Sequence, residues 1–332
     1  MPTHDRAHDL VRAAGSVLAQ EVDALELVVV DDASTDDTPA VLDRLAAQDA
    51  RVRVVTNDRS LGPCEARNRG LAVAGGELVA FCDDDDAWLP GVAGVLTGFL
   101  DGHPDVVAVS SWHVVLHRSS GGAAVFRGPL EYGTEELLWQ NVIALPFAVL
   151  RRPALSFDVG FDPELPTGED WDLWLRCSHD GRVRTVPYVG YLYTQHGGRR
   201  VTRTGDAQAV GRRNFLAKHG PSMSAACRLY HETVLRGYDD GRPGMVRQLR
   251  PAAGGPPAAG AFVAMVLASS ALAARVGQRR GDPGLQARLM ARLVGRGRGR
   301  QPEGTGGAGG ERGSGPGRGQ GGDRERGRGA GR

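Results

Sequence analysis

Two stretches of this sequence end in runs of carboxylates: LELVVVDD, residues 25–32, and ELVAFCDDDD, residues 77–86. In each, a short apolar and β-branched run, typical of a buried strand, leads directly into acidic residues. Two carboxylates about 4 Å apart repel by roughly 4 kcal/mol at an effective dielectric constant near 20. A cluster of four must therefore be spread into water or neutralised by a cation.

Helical and strand patterns alternate through the first hundred residues. The patterns predict helices at 8–20, 39–47, 64–74 and 90–100, and strands at 26–30, 52–56 and 78–82. Such alternation is typical of an α/β fold, a mostly parallel sheet flanked by helices. Ligands bind beyond the carboxyl ends of the strands in open sheets of this kind, and both acidic clusters lie there. A solvated charge run stays the alternative for each cluster taken alone.

Composition divides the chain into three parts. The α/β pattern covers residues 1–205, and a helical pattern follows as an extension over 206–294. The last part, 295–332, holds 17 of the 48 glycines and nine arginines against four acidic residues. We expect this Gly/Arg-rich tail to be disordered, because it cannot bury enough apolar surface to fold. Its lack of interleaved aromatic residues argues against a nucleic-acid partner.

The four cysteines form no CxxC pair, and the polar N-terminus MPTHDRAHDL lacks the pattern of a signal peptide. Both features predict a cytoplasmic protein. One apolar stretch, AAGAFVAMVLASSALAA at 258–274, falls short of the about 20 strongly apolar residues of a membrane span. We favour a packed or surface-lying helix there over a spanning one, which allows peripheral association with the inner face of the membrane.

Four motifs occur in an order that is specific when they are taken together. They are PTHDR (2–6), LELVVVDDASTDDT (25–38), NDRSLGPCEARNRGLAVAGGELVAFCDDDDAWLP (57–90) and TGEDWDLWLR (167–176). With them the chain resembles the family 2 glycosyltransferases, which are inverting enzymes with the GT-A nucleotide-sugar fold. The resemblance covers about residues 2–200.

The resemblance implies roles for the acidic run at 83–86. Asp83 would face the nucleotide with Asp84 beside it, and Asp85 would hold a divalent ion on the diphosphate. Manganese or magnesium suits this task, since both are hard cations that bind carboxylate and phosphate oxygens. His196 would lie near the diphosphate or the metal, although a surface histidine before a Gly-Gly turn is an alternative.

Further positions follow from the same resemblance. Asp32 would contact the base or ribose, Thr3 would be its partner at the end of the first strand, and Arg67 would lie near the nucleotide. Arg67 could instead be an ordinary arginine on a helix surface. The motif TGEDWDLWLR would supply the general base, Asp170, with Glu169 beside it. Acidic residues at a helix start also stabilise the helix dipole, which is the alternative interpretation of this pair.

The N-terminus departs from the family pattern. Family members usually begin with a hydrophobic strand just before the PT dipeptide, whereas only Met1 precedes Pro2 here. We expect this first strand to be missing from the domain at 1–205, with the true start upstream or the chain an incomplete product. His4 also replaces the more common tyrosine of PTYNR, which bears on contacts with the base.

These observations predict an inverting, metal-dependent glycosyltransferase. It would move a sugar from a nucleoside-diphosphate donor, UDP being favoured, to a hydroxyl on a glycan, a lipid carrier or a small metabolite. A nucleotidyltransferase of similar fold is one alternative, but it would need a Gly-rich loop that PTHDRAHD lacks. A non-catalytic sugar-nucleotide binding module is the other.

Overall fold

The computed structural model of the chain describes residues 1–118, 120–141, 143, 145–195 and 205–239. Its helices are α1 (Ala7–Leu18), α2 (Thr38–Gln48), α3 (Pro63–Val73), α4 (Val92–Gly102), α5 (Thr134–Trp139), α6 (Glu169–Asp180), α7 (Gly205–His219) and α8 (Ala225–Asp239). Its strands are β1 (Pro2–Thr3), β2 (Leu27–Asp31), β3 (Val52–Thr56), β4 (Leu78–Ala80), β5 (Ala87–Trp88), β6 (Val106–His117), β7 (Gly122–Phe126), β8 (Glu131–Tyr132), β9 (Ala148–Arg151) and β10 (Arg182–Gln195).

The described strands form two sheets. The first, in the order β1-β2-β3, is parallel throughout, because helices α1 and α2 return the chain to the same end after β1 and β2. The second has the order β4-β9-β6-β10-β5, with β7 on β6 and β8 on β10. In it β6 and β10 are parallel, and the other pairs are antiparallel. The predicted α/β fold is confirmed, and the second sheet is mixed.

Strand β2 is buried on both faces, which explains its unbroken apolar run. Leu27 and Val29 pack into the core shared with α1, α2 and α4. Val28 and Val30 point the other way, where they pack with Ala66 of α3. Alternate residues of a strand face opposite sides, so a strand between two helical layers needs apolar residues at every position.

Strand β1 is only two residues long and, among the described strands, pairs only with β2. Pro2 lies opposite Val30 and Thr3 opposite Asp31, and the Met1 ammonium donates to the Val28 carbonyl at 2.9 Å. The neighbouring strand β4 pairs with β9. A cavity of about 440 Å³ lies between β2 and β4, so the two sheets are separate on this side among the described residues.

Helices α7 and α8 pack on α5 and α6. Phe215 stacks on Trp171 with ring centroids 4.2 Å apart, and Tyr230 packs against Trp139. The two helices begin the predicted extension at 206–294; the rest of that extension, with the stretch 258–274 and the tail at 295–332, lies outside the described residues. In the part of the chain that is described, no helix has the length and apolarity needed to cross a membrane.

A buried ion cluster ties α7 to α6. The fully buried carboxylate of Asp172 accepts bonds from Arg176 Nε at 2.9 Å and His219 Nε2 at 2.7 Å, and Lys218 Nζ lies 2.9 Å away. Burial opposes ionisation of this carboxyl. The hydrogen bonds from His219 and Lys218 outweigh it and hold the pKa of Asp172 well below its usual range.

We predict that Asp172→Asn lowers the free energy of unfolding by about 1–3 kcal/mol at neutral pH, because the buried amide is a weaker acceptor than the carboxylate for the bonds from Arg176 and Lys218. Urea denaturation measures the loss of stability.

The same carboxylate predicts a pH dependence. The Asp172 carboxylate stays ionised in the folded chain at pH values where the unfolded chain protonates it. The wild type should therefore lose this stabilisation as pH falls below the ordinary value of 3.8.

The matched control is Asp162→Asn, which removes only the outer 2.7 Å ion pair with Lys218. We expect it to cost about 1 kcal/mol or less, since the pair is partly exposed. Equal losses in the two variants would show that the cluster does not anchor α7.

Candidate active site

The four carboxylates that follow β4 do not share one role. Asp86 is fully buried and accepts bonds from the Thr194 N–H at 2.7 Å and the Tyr191 hydroxyl at 3.2 Å, both on β10. Burial and the charges of Asp83 and Asp85 raise the pKa of Asp86 to about 8. Asp86 therefore anchors β10 to the end of β4. The three carboxylates before it, at 83–85, are half-buried.

Arg67, on α3, bridges two of the predicted site residues. Its Nη2 donates to Asp83 Oδ1 at 2.9 Å and its Nη1 donates to Glu169 Oε1 at 3.1 Å. The side chain is only 8% exposed, and its Nε has no hydrogen-bond partner among the described residues. Burial opposes the charge, but Asp83 and Glu169 outweigh it and raise the pKa of Arg67. A permanent buried cation thus joins the end of β4 to the start of α6.

Asp170 lies in the first turn of α6, after Gly168 has turned the chain with a φ of +84°. Its Oδ2 accepts a bond from Asn141 Nδ2 at 2.9 Å, and its Oδ1 accepts one from the Trp171 N–H at 2.8 Å. Burial and the negative charge of Glu169 raise the pKa of Asp170 to about 7. This carboxyl can therefore gain or lose a proton near neutral pH.

Asp32, at the carboxyl end of β2, holds the loop at 57–62. Its two carboxylate oxygens accept bonds from Asn57 Nδ2 at 2.7 Å, Ser60 Oγ at 2.8 Å and the Leu61 and Gly62 N–H groups, each at 2.8 Å. Burial opposes ionisation, but these bonds, with that from the Leu61 N–H foremost, keep the pKa of Asp32 below its usual range. Asp32 therefore fixes the loop that leads into α3 and its Arg67.

The other predicted residues lie around this arrangement. Thr3 is buried at the end of β1, and its carbonyl accepts the Asp32 N–H at 2.8 Å. Burial, followed by the charges of Asp85 and Asp83, raises the pKa of Asp84 to about 7. The Asp85 carbonyl accepts a bond from Arg12 at 2.6 Å. His196 lies outside the described residues.

The tryptophans of the α6 motif belong to the core. Trp174 is fully buried and donates its indole N–H to the Ile143 carbonyl at 2.9 Å. Trp171 is buried and contacts two residues of α7, Phe215, which stacks on it, and Arg212, whose guanidinium lies 4.9 Å from the centre of its ring. Their helical spacing therefore reflects packing of α6.

Sequence reasoning missed the polar residues that hold the carboxylates in place. Asn141 lies 29 positions before Asp170, while Asn57 and Ser60 lie 25 and 28 positions after Asp32. None of these separations matches a local spacing on one helix or strand. Asn57 and Ser60 do fall within the motif at 57–90, so their place in that motif is the one signal that could have identified them as site residues.

The chemistry at the end of β4 fits a divalent cation held together with a diphosphate. Among the described residues, no set of three or more His, Cys, Asp or Glu side chains converges as a complete metal site. Magnesium, however, usually binds through one or two carboxylates and completes its coordination with water and phosphate oxygens. Burial is the main cause of the raised pKa of Asp84, and the charges of Asp85 and Asp83, which add to it, are what such an ion would offset.

Two chemically distinct ends therefore meet at Arg67. On one side, the carboxylates of Asp83, Asp84 and Asp85 can hold a cation and its phosphates. On the other, Asp170 can accept a proton, with Glu169 between it and the arginine. A reaction that combines a leaving phosphate with deprotonation of a nucleophile needs both ends.

The chain is similar to known sequences over most of its length. The sequence model of the family described as "Glycosyl transferase family 2" matches residues 1–152. The chain is 32% identical over 269 residues to succinoglycan biosynthesis protein ExoO of Rhizobium meliloti, which covers 73% of this chain and 74% of that protein. It is 28% identical over 184 residues to the Escherichia coli protein WfaP, covering 55% and 70%. WfaP is named as a UDP-Glc:alpha-D-GlcNAc-diphosphoundecaprenol beta-1,3-glucosyltransferase.

Solved structures share the fold. S. aureus TarS in complex with UDP-GlcNAc superposes with a TM-score of 0.58 at 19% identity, covering 72% of this chain and 71% of that one. The mannosyltransferase PcManGT of Pyrobaculum calidifontis, in complex with GDP-Man and Mn²⁺, gives 0.52 at 22% identity, covering 88% and 83%. Both likenesses support the GT-A fold.

We predict that Asp32→Ala lowers the free energy of unfolding by about 1–3 kcal/mol, because it leaves the buried Asn57 amide and the partly buried Leu61 and Gly62 N–H groups without their acceptor. Chemical denaturation measures the loss. The control Asp58→Ala removes an exposed carboxylate of the same loop and should change stability by about 0.5 kcal/mol or less. A loss no larger than that of the control would contradict the role given to Asp32.

Proposed function

Because this chain belongs to the family 2 glycosyltransferases, we propose that it transfers a sugar from a nucleoside-diphosphate donor to a hydroxyl group, with inversion at the anomeric carbon. The observation that carries this proposal is the buried Arg67, which contacts both Asp83 and Glu169. Arg67 thereby joins two groups in one site. One is the carboxylate cluster at 83–85, which is suited to a cation and its nucleotide, and the other is the Glu169–Asp170 pair, which is suited to accept a proton.

At the donor end, Asp83 and Asp84 orient the nucleotide sugar and Asp85 holds the cation. His196 is assigned to the same metal only by family resemblance. When bound, manganese or magnesium stabilises the negative charge that develops on the departing nucleoside diphosphate. Arg67 keeps Asp83 in place. Asp32 and Thr3 shape the nucleotide side through the carboxyl ends of β1 and β2 and the loop at 57–62.

At the acceptor end, Asp170 acts as the general base. The acceptor oxygen attacks the anomeric carbon as the bond from that carbon to the diphosphate oxygen breaks, and the hydroxyl proton passes to the Asp170 carboxylate. Asn141 aims the carboxylate through its 2.9 Å hydrogen bond. Glu169 keeps the pKa of Asp170 raised, which strengthens it as a base near neutral pH.

UDP is the proposed donor nucleotide, and a lipid-linked or polysaccharide hydroxyl is the proposed acceptor. The names of two relatives support this: WfaP is a UDP-Glc enzyme acting on a diphosphoundecaprenol-linked sugar, and ExoO serves succinoglycan biosynthesis. A lipid-linked acceptor would place the enzyme at the cytoplasmic face of the membrane. Binding of UDP without any turnover of sugar donors would favour a binding module instead.

We predict that Asp170→Asn reduces turnover by about 10²- to 10⁴-fold, because the amide cannot accept the proton. Release of UDP from a panel of UDP-sugars, with water or added acceptor, measures turnover, and calorimetry should show UDP affinity unchanged. The control Asp158→Asn changes an exposed carboxylate and should leave both values as they are. Wild-type turnover by Asp170→Asn would exclude this residue as the base.

We also predict that kcat/KM of the wild type rises with pH through about 7, where Asp170 becomes ionised. Glu169→Gln removes the neighbouring negative charge and so lowers the pKa of Asp170. The rising limb of the pH profile should therefore move to lower pH. Glu164→Gln, an exposed change nearby, should not move it. If the rising limb lies at the same pH in Glu169→Gln as in the wild type, Glu169 does not raise the pKa of the base.

A further inference from the structure

One face of helix α1 carries three polar side chains whose hydrogen bonds lead to the segment at 85–93. The three are Arg12, Ser16 and Gln20, spaced four residues apart. Residues at this spacing lie on the same side of a helix. Gln20 belongs to the turn that ends α1, because its N–H donates to the Val17 carbonyl. The polar face of α1 is thus directed at one segment of the chain.

Arg12 and Ser16 bind the first half of this segment. Arg12 Nη2 donates to the Asp85 carbonyl at 2.6 Å, and Ser16 Oγ accepts the Trp88 N–H at 3.0 Å. Strand β5 in this segment is two residues long and, among the described strands, pairs only with β10. Main-chain groups on the α1 side therefore need partners other than a strand, and these two side chains supply them.

Gln20 binds the second half of the segment. Its Oε1 accepts the Ala93 N–H at 3.1 Å, and its Nε2 donates to the Leu89 and Ser16 carbonyls, each at 3.1 Å. The Ala93 N–H lies in the first turn of α4, where N–H groups have no partner within the helix. Gln20 is only 4% exposed, and a buried amide is unfavourable unless both of its ends are bonded. These bonds satisfy both ends, so Gln20 fixes the start of α4 on α1.

Strand β10 holds the same segment from the other side. It donates two bonds to the Asp86 carboxylate, and its Gly190 carbonyl accepts the Leu89 N–H at 2.8 Å. Asp85 lies directly before Asp86, and its own carbonyl is held by Arg12. The main chain that carries the Asp85 carboxylate is therefore fixed from two directions.

A divalent cation is sensitive to such fixation of its ligands. Magnesium requires oxygen ligands at about 2.0–2.1 Å in nearly ideal octahedral geometry. Groups that orient a ligand from outside the coordination sphere typically change metal affinity by about 10- to 100-fold when they are removed. A shift of the main chain at Asp85 should therefore weaken a cation bound there.

We propose that Arg12, Ser16 and Gln20 are positioning residues for the cation: they hold the segment at 85–93 so that Asp85 presents its carboxylate to the ion. Their role rests on the proposed function, in which Asp85 holds the cation. They act through main-chain groups that lie 69 to 73 positions away in the sequence. Affinity for the cation thus depends on a face of α1 that supplies no carboxylate to it.

The test measures the Mn²⁺ concentration at which binding of UDP to the full chain is half-maximal, by calorimetry at a series of Mn²⁺ concentrations. We expect Ser16→Ala and Gln20→Met each to raise this concentration by about tenfold or more. The affinity for UDP at saturating Mn²⁺ should stay near that of the wild type, because excess cation compensates for the weakened site. Ser16→Ala, the smaller change, decides the result if Gln20→Met does not fold.

A matched control separates positioning from a general loss of stability. Thr97→Val removes a half-buried hydroxyl whose bonds stay within α4, to the Ala93 and Gly94 carbonyls. We expect it to leave the half-maximal Mn²⁺ concentration unchanged, and urea denaturation gives the stability of each variant. The same increase in Thr97→Val as in Ser16→Ala would overturn the proposal.

The remaining outcomes distinguish the positioning role from the proposed function. If the wild type binds UDP with Mn²⁺ and both variants need no more Mn²⁺ than the wild type, the positioning role alone is wrong. If the folded wild type binds no UDP at any Mn²⁺ concentration, the proposed function is wrong and the positioning role is wrong with it.

Discussion

The buried fork of Arg67 is the interaction on which the rest of the site depends. A guanidinium that is 8% exposed holds one carboxylate at the end of β4 and another at the start of α6. Loss of the guanidinium would leave both carboxylates without the cation that pairs with them. The fork is positioned in turn by Asp32, which fixes the loop before α3. The end of β4, the start of α6 and the loop at 57–62 thus form one connected network.

Local sequence patterns were enough to predict the fold class and the ends of the strands. The run ELVVVDD and the alternation of helix and strand identify β2 and its carboxyl end, because burial on both faces requires an unbroken apolar run. The run DDDD, however, could not reveal which of its carboxylates is buried for a structural role. Asp86 is used to anchor β10, and only the tertiary structure brings Thr194 to it, 108 positions along the chain.

The candidate site likewise combines features that local sequence predicts with contacts that only the tertiary structure forms. The motif TGEDWDLWLR places Asp170 at a helix start, but its partner Asn141 and the Glu169–Arg67 pair join residues 29 and 102 positions apart. Contacts at such separations follow from how the sheets pack, which no periodicity encodes. The cavity between β2 and β4 is likewise visible only in three dimensions, and Arg67 lines it.

The central claim is that the carboxylates after β4 hold a nucleoside diphosphate together with a divalent cation. Calorimetric titration of UDP and GDP into the purified chain, first with manganese and then with EDTA, tests it most directly when repeated on Asp85→Ala. We expect manganese-dependent binding of UDP that EDTA and the substitution both abolish. A folded protein that binds neither nucleotide, or binds UDP equally well with EDTA, would contradict it.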